Sequence, residues 1–126
     1  MAKVNFGNHS KIIALSSEQG QIRKFYCDVL GCEATKLSKT VDYFRIGNDF
    51  FLAVLYGDSV LSQSDLLKSI WLEIRTDDPK VLNAKIRDFG IREIESWDKD
   101  HLYFQAPGGQ VFRVVKVGEE LTRFER

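Results

Sequence analysis

The chain has few residues of the kinds that carry redox or metal chemistry. Its 126 residues include two cysteines, two histidines, two prolines and one methionine. Cys27 and Cys32 lie five positions apart and form no CxxC metal or redox motif. Their spacing across a predicted helix end is unfavourable for a disulfide. We therefore expect both to be small apolar residues in a reducing compartment.

Long apolar runs and an excess of charge of one sign are also missing. No segment approaches the roughly 20 apolar residues of a membrane span, and the first residues do not form a basic-then-apolar signal pattern. Basic and acidic residues number 18 each, so the formal net charge is zero. A neutral chain lacks the field that attracts nucleic acid or an anionic membrane. We expect a cytoplasmic protein with neither kind of partner.

The strongest pattern present is an internal repeat. The segment 43–57, which opens with Tyr-Phe, is matched by 103–118, and the Leu-Gly pair at 30–31 is matched by Phe-Gly at 89–90. A repeated unit must bury its apolar face against its twin, so the repeat predicts a fold of two similar modules.

Each copy predicts a strand, a helix and three further strands. The first helix has apolar residues at i, i+3, i+4, i+7 and i+8 from Ile22 and ends at Gly31. The second begins at Asp78-Pro79 and ends at Gly90. The strands are predicted at 11–16, 33–38, 41–46, 50–56, 69–75, 92–96, 101–106 and 110–117. We expect an α+β chain with one domain, 1–126, made of module one (about 10–57), a polar linker (58–68) and module two (about 69–117).

Alternation along the strands separates a helix-facing side from an open side. In the first strand of module two, Ile70, Leu72 and Ile74 are expected to face the helix. The open sides then carry polar and aromatic residues, as small-molecule sites do. The predicted ligand-binding residues are Lys11, Arg45, Trp71, Glu73, Tyr103 and Arg113.

Two short motifs give the pattern a family resemblance. The helix end Phe-Tyr-x-x-Val-Leu-Gly at 25–31 and the turn Ala-Pro-Gly-Gly at 106–109 resemble the glyoxalase I/bleomycin-resistance family, also called the vicinal oxygen chelate superfamily. The resemblance covers about 10–117. It implies two βαβββ modules forming a cupped mixed sheet around a ligand cavity, and frequent homodimers.

The resemblance also implies where a metal would bind. The family's enzymes usually hold one divalent metal with four His or Glu side chains from the first and fourth strands of each module. Those positions fall on Lys11, Leu52 or Ala53, Trp71 and Arg113. None is an ordinary ligand of a divalent metal, and two add positive charge. We therefore predict no cofactor.

A register shift leaves one alternative open. Moving each strand by two residues would bring His9 and Glu73 to ligand positions, but that pair lacks the third protein ligand of a catalytic zinc site. The other histidine, His101, is expected to be a solvent-side turn residue.

Several roles stay open for the remaining residues. Arg113 and Lys11 form either a cationic patch for a carboxylate or phosphate or, for Arg113, an internal ion pair with Glu73. Glu73 is a weak candidate for a general base, against a salt-bridged structural carboxylate. Trp71, Tyr103 and Tyr43 either stack on a flat ligand or plug the cavity.

The preferred hypothesis is a metal-independent protein, a homodimer, that binds a small anionic or aromatic molecule and is not necessarily an enzyme. The alternative is a lyase, isomerase or dioxygenase of the same superfamily with a divalent metal at the shifted site. A third is a partner-binding scaffold with a closed cavity. The charged segment 118–126 is expected to be peripheral or engaged in dimer contacts.

Overall fold

The computed structural model describes residues 2–121, which form two compact units divided between Val60 and Leu61. Each unit contains one four-stranded mixed sheet. Residues 122–126 of the predicted peripheral segment lie outside the described residues. Within residues 2–121, no helix is long and apolar enough to cross a membrane.

The first unit runs strand, helix and three strands, as predicted. Its elements are β1 (His9–Leu15), α1 (Gln19–Lys24), β2 (Glu33–Leu37), β3 (Val41–Ile46) and β4 (Phe50–Gly57). The sheet order is β1-β4-β3-β2, with β1 parallel to β4 and the other neighbours antiparallel. The predicted helical face is confirmed, since Ile22, Phe25 and Tyr26 are fully buried. The helix does not stay α-helical to its end, because Phe25–Val29 forms a π-helical turn.

The second unit repeats this order after a short helix. Its elements are α2 (Gln63–Leu66), β5 (Trp71–Thr76), α3 (Pro79–Phe89), β6 (Arg92–Glu93), β7 (Tyr103–Gln105) and β8 (Val111–Lys116). The sheet order is β5-β8-β7-β6, with β5 parallel to β8. These two mixed sheets confirm the predicted α+β class with two βαβββ modules.

The predicted caps of α3 are present. The Asp78 side chain accepts a hydrogen bond from the backbone N–H of Val81 at 3.2 Å, and Pro79 occupies the first turn. Gly90 ends the helix with φ of +89°, a conformation that costs little only for glycine. The short polar stretch before Pro79 therefore sets where the helix begins, and Gly90 sets where it ends.

Three details differ from the predictions. The polar linker contains the helix α2, which Ser62 caps by accepting from the Asp65 N–H at 3.1 Å. The strand predicted at 92–96 is reduced to two residues, because after Ile94 the chain leaves the sheet edge to form the loop that carries Asp98. Ile70 precedes β5 and is 72% exposed, so it does not pack on the helix.

A buried carboxylate ties the first helix to its sheet. Asp42 on β3 is fully buried and accepts from Arg23 Nε at 2.9 Å, Arg23 Nη2 at 3.0 Å and the Tyr56 hydroxyl at 2.7 Å. Burial alone would raise the pKa of Asp42, but the hydrogen bonds from Arg23 and Tyr56 outweigh it and hold that pKa below its ordinary value. Asp42 is therefore a paired, ionised group within the first unit.

Both cysteines are free thiols, and neither is set up to react. Cys32 is buried and burial raises its pKa to about 12, while burial also raises the pKa of the partly buried Cys27. We expect no rapid reaction with a disulfide reagent at pH 8 in the folded protein, and two equivalents of reaction after unfolding in guanidinium chloride. A Cys27→Ser variant assigns any slow phase. Rapid, stoichiometric labelling of the folded protein would contradict the burial of these thiols.

Candidate functional site

The side of the second sheet that was predicted to be open carries four of the six predicted ligand-binding residues, but it is not open throughout, since Tyr103 is only 7% exposed. Directly paired residues of neighbouring strands point to the same side of a sheet. Arg113 on β8 pairs with Glu73 on β5 and with Tyr103 on β7. Two residues earlier on β8, the buried Val111 pairs with Trp71 and Gln105, so all of these side chains point to the same side. The opposite side carries the fully buried Phe104. We call the surface formed by Trp71, Glu73, Tyr103, Gln105 and Arg113 the unit-two face.

Arg113 is the centre of an ionic network on this face. Its Nη2 donates to Glu73 Oε1 at 2.6 Å and its Nη1 to the Tyr103 hydroxyl at 3.3 Å. The Arg75 Nε donates to the other Glu73 oxygen at 3.0 Å. The internal ion pair between Arg113 and Glu73, one of the two readings of Arg113, is thus present. Two guanidinium groups thus share the Glu73 carboxylate, and Arg113 Nη1 also lies 3.8 Å from the carboxylate of Asp98.

The same network bears on the proposed chemistry of Glu73. Burial would raise the pKa of Glu73, but hydrogen bonds from Arg113 and Arg75 outweigh it and hold that pKa below its ordinary value. A good general base at neutral pH has a pKa near the working pH. The geometry therefore favours the reading of Glu73 as a salt-bridged carboxylate.

A buried acid cluster that the sequence did not indicate lies next to Arg113. The side chain of Asp98 is fully buried, and its Oδ2 lies 2.7 Å from His101 Nδ1, 3.1 Å from the Tyr103 hydroxyl and 3.8 Å from Arg113 Nη1. Burial would raise the pKa of Asp98, but the hydrogen bonds, first that with His101, lower it overall. The Asp98 carboxylate therefore helps to position both the Tyr103 hydroxyl and the Arg113 guanidinium.

The prediction that His101 is a solvent-side turn residue is wrong. Its side chain is only 5% exposed, because Nδ1 contacts Asp98 and Nε2 lies 2.6 Å from Glu119 Oε2. The only sequence signal was the Asp-x-x-His spacing in the loop, while the second carboxylate lies 18 positions away.

A pocket of about 330 Å³ opens beside this cluster, between α3 and the loop after β6. Its rim includes Arg87 and Glu93, which form an ion pair at 3.1 Å. Of the predicted ligand-binding residues, only Tyr103 lines it. It is therefore a different feature from the predicted site.

The segment 61–68, which we call the strap, covers one end of the unit-two face. The Trp71 Nε1 donates to the Leu67 carbonyl at 2.8 Å, and the Gln105 Nε2 donates to the Gln63 carbonyl at 2.9 Å. The rings of Trp71 and Tyr103 also contact each other, with centroids 5.7 Å apart. Trp71 and Tyr103, two of the residues predicted to meet a ligand, thus already have partners within the second unit.

Lys11 and Arg45 lie on the open side of the first sheet. Lys11 on β1 pairs with Ala53 on β4, so Ala53 rather than Leu52 shares its side of the sheet, although both residues are buried. Arg45 on β3 is separated from β1 by β4 and forms an ion pair with Glu33.

Of the two residues of the alternative metal site, Glu73 is already paired with positive charge. The His9 ring stacks on Phe51 with centroids 4.9 Å apart, and its Nδ1 lies 2.8 Å from the Asn8 side-chain oxygen. Both Glu73 oxygens are bound by arginines. Among residues 2–121, no group of three or more His, Cys, Asp or Glu side chains is arranged to hold a metal.

Two βαβββ modules in one chain define a class of α+β proteins, and solved structures of that class match this chain over nearly its whole length. The fosfomycin resistance protein FosX from Mesorhizobium loti superposes with a TM-score of 0.69 at 13% identity, covering 98% of this chain and 100% of that one. A mutant FosX from Listeria monocytogenes, complexed with Mn(II) and 1S,2S-dihydroxypropylphosphonic acid, gives 0.71 at 14% identity with the same coverage. A possible glyoxalase from Bacillus cereus gives 0.66 at 16% identity, covering 86% and 96%.

These likenesses define the particular fold. The chain has the glyoxalase/bleomycin-resistance fold of the vicinal oxygen chelate superfamily, and the predicted resemblance is confirmed at the level of the fold. No family model and no curated protein matches the sequence. Function therefore has to be argued from the residues of the site.

Proposed function

We propose that this protein is a glyoxalase/bleomycin-resistance-like protein that binds a small anionic molecule on the unit-two face without a metal. The observation that carries the proposal is the Arg113 network. The Arg113 side chain is 23% exposed and the Glu73 side chain 28% exposed, so the pair is partly withdrawn from water but still reachable. Arg75 brings a second guanidinium to Glu73, and the Asp98 carboxylate lies 3.8 Å from Arg113, so two arginines face two carboxylates.

An arginine in this setting is suited to a carboxylate or a phosphonate. The planar guanidinium offers several N–H donors and pairs with two oxygens at once. Partial burial strengthens that pairing, because the surrounding dielectric is lower than in water. Trp71, which is 41% exposed, provides a ring edge or face for the non-polar part of a ligand.

The metal-independent part of the proposal rests on the residues at the family's metal positions. Lys11, Ala53, Trp71 and Arg113 provide no acidic or imidazole ligand. Two FosX structures of this fold are described with Mn(II) and an anion, dihydroxypropylphosphonic acid in one and sulfate in the other. We propose that Arg113 supplies in its side chain the positive charge that a metal supplies in such a complex.

Three further parts of the proposal concern organisation. We propose that 1–126 is one domain with modules at about 10–57 and 69–117, that the protein is a cytoplasmic homodimer, and that Lys11 and Arg45 contribute to ligand binding from the first unit's open face. The domain bounds follow from the internal repeat, the cytoplasmic location from the composition, the homodimer from the family resemblance, and the role of Lys11 and Arg45 from the charge of their side chains.

The test is binding of small anions with and without a metal. Benzoate, fosfomycin and hydroxymethylphosphonate are added to protein in EDTA and, separately, in excess Mn(II), and the unfolding temperature is measured. We expect at least one anion to raise it by about 5 °C at ten times its dissociation constant, equally in both buffers. Stabilisation that needs Mn(II) and is lost in His9→Ala would establish the metal-dependent alternative. No stabilisation by any anion would favour the closed scaffold.

A further inference from the structure

We infer that the strap, residues 61–68, is a built-in competitor of the ligand: its backbone carbonyls occupy donors of the unit-two face that an oxyanion uses when the strap lifts. This inference rests on the proposed function and names the ligand class more closely. It begins from the two side-chain hydrogen bonds that hold the strap down.

Both bonds have the same chemistry. The indole N–H of Trp71 and the amide N–H of Gln105 each donate to a main-chain carbonyl of the strap, at Leu67 and Gln63. A carboxylate or phosphonate oxygen is an acceptor of the same kind and is a stronger one, because it carries charge. An anion drawn to Arg113 therefore finds two further donors on the same face only after the strap carbonyls have left.

The side-chain oxygen of Gln105 is a buried acceptor that receives no hydrogen bond. Its Nε2 faces two carbonyl oxygens, at Gln63 and Gly109, so the amide nitrogen must point there and Oε1 must point elsewhere. The residue is 4% exposed and Oε1 has no hydrogen-bond partner. A buried acceptor without a donor is unfavourable by about 1–3 kcal/mol. With the strap in place, Gln105 Oε1 therefore accepts no hydrogen bond, and a hydroxyl or amide N–H of a ligand could donate one to it.

The ligand class follows from these requirements together. Its oxyanion pairs with Arg113 and replaces the strap carbonyls at Trp71 and Gln105, and a hydroxyl or N–H group next to the oxyanion donates to Gln105 Oε1. We therefore expect a small carboxylate or phosphonate with a neighbouring hydroxyl or amide donor.

The strap itself is lightly attached. Its helix, α2, has four residues, and residues 61–65 are exposed. It contacts the turn between β7 and β8 at Gly109, where φ is +105° and an added Cβ would lie 2.2 Å from Leu66 Cδ1. A methyl group at position 109 therefore requires the Leu66 side chain to move.

This contact allows the strap to be opened by one substitution. Gly109→Ala should lift the strap, whereas Gly90→Ala imposes a similar positive-φ strain, at +89°, with no atom in the way. The double variant Leu66→Ala/Gly109→Ala removes the colliding Cγ and Cδ1 and should close the strap again.

Trypsin cleavage after Lys68, followed by mass spectrometry under native conditions, measures opening. We expect cleavage at least about tenfold faster in Gly109→Ala than in wild type, Gly90→Ala or the double variant, because cleavage follows the open population.

Ligand binding is then measured on the same four proteins by calorimetry. Hydroxymethylphosphonate has a hydroxyl where ethylphosphonate has a methyl group, and the two are close in size. We expect Gly109→Ala to bind hydroxymethylphosphonate about tenfold more tightly than wild type if the strap is closed nine-tenths of the time. We expect ethylphosphonate to bind more weakly in all four.

The outcomes separate the inference from the proposed function. If the strap opens and wild type binds the phosphonates, but affinity does not change, the strap does not compete and the inference is overturned while the proposed function stands. Equal binding of the two phosphonates would overturn the role of Gln105 Oε1. If cleavage after Lys68 is the same in all variants, the strap does not open when the contact at Gly109 is crowded, and the inference is overturned. If the strap opens and no phosphonate or carboxylate binds to any variant, the proposed function itself fails.

Discussion

Replacing Asp42 with asparagine is expected to lower the free energy of unfolding by about 3 kcal/mol. The side chain is fully buried and accepts through both oxygens, Oδ2 from Arg23 Nε and Tyr56 and Oδ1 from Arg23 Nη2. Asparagine carries no charge and has one acceptor oxygen, so its NH2 group would face one set of donors. The figure is at the low end for a buried pair, because the Arg23 side chain is 36% exposed and regains water when its partner is lost. Urea denaturation at pH 7 measures the change.

A matched control is available in the same sheet. The ion pair of Arg45 with Glu33 is 41% and 59% exposed, so Glu33→Gln is expected to change the unfolding free energy by less than about 1 kcal/mol. Equal effects of the two substitutions would show that burial of Asp42 contributes nothing.

The same carboxylate predicts a pH dependence with a definite sign. The pKa of Asp42 is lower in the folded protein than its ordinary value of 3.8, so Asp42 stabilises the fold above that value and the contribution is lost as the pH falls through the folded pKa. Wild type is therefore expected to lose stability below about pH 5 more steeply than Asp42→Asn. Parallel stability curves between pH 7 and pH 3 would contradict a lowered pKa.

Replacing Arg113 with glutamine is expected to weaken anion binding about thirtyfold, which corresponds to about 2 kcal/mol. The substitution removes the charge and the two-pronged donor at the centre of the unit-two face. Arg113→Lys keeps the charge without the planar fork, so an intermediate loss is expected. Calorimetric titration with whichever anion stabilises wild type in EDTA gives the dissociation constants.

The Arg113 experiment is interpretable because its neighbours keep other partners. Glu73 retains Arg75, and Asp98 retains His101 and Tyr103, so the variants are expected to stay folded. Arg87→Gln breaks an exposed ion pair on α3 and serves as the control for loss of one positive charge. Unchanged affinity in Arg113→Gln would remove the central residue of the proposed site.

Much of the architecture could be predicted because its causes are local in sequence. The apolar spacing from Ile22 marked the buried side of the first helix, and Asp78-Pro79 and Gly90 marked the ends of α3. Alternation along the strands placed Trp71 and Glu73 on one side of β5. Such signals involve residues within a turn or a strand of each other, and tertiary packing did not reverse them.

The parts that could not be predicted involve partners far apart in sequence. Asp42 meets Arg23 across 19 positions, and His101 meets Glu119 across 18. A charged residue in a strand is usually solvated, so no pattern marks the one that is buried with a partner. The strap was predicted only as a polar linker. Its polar composition indicates exposure to solvent, but it does not indicate that Trp71 and Gln105 donate hydrogen bonds to its carbonyls.

The sequence by itself determined the order of elements in each βαβββ module and the resemblance to the glyoxalase/bleomycin-resistance fold, whereas the lack of metal ligands stays a prediction. Only the tertiary structure decided which polar residues act together. It placed Arg113 against Glu73, put Asp98 and His101 beneath Tyr103, and laid the strap on the unit-two face. The reason is physical: propensity and periodicity are set by neighbours along the chain, whereas the pairing of buried charges is set by strand register and loop closure, which bring distant residues to one place.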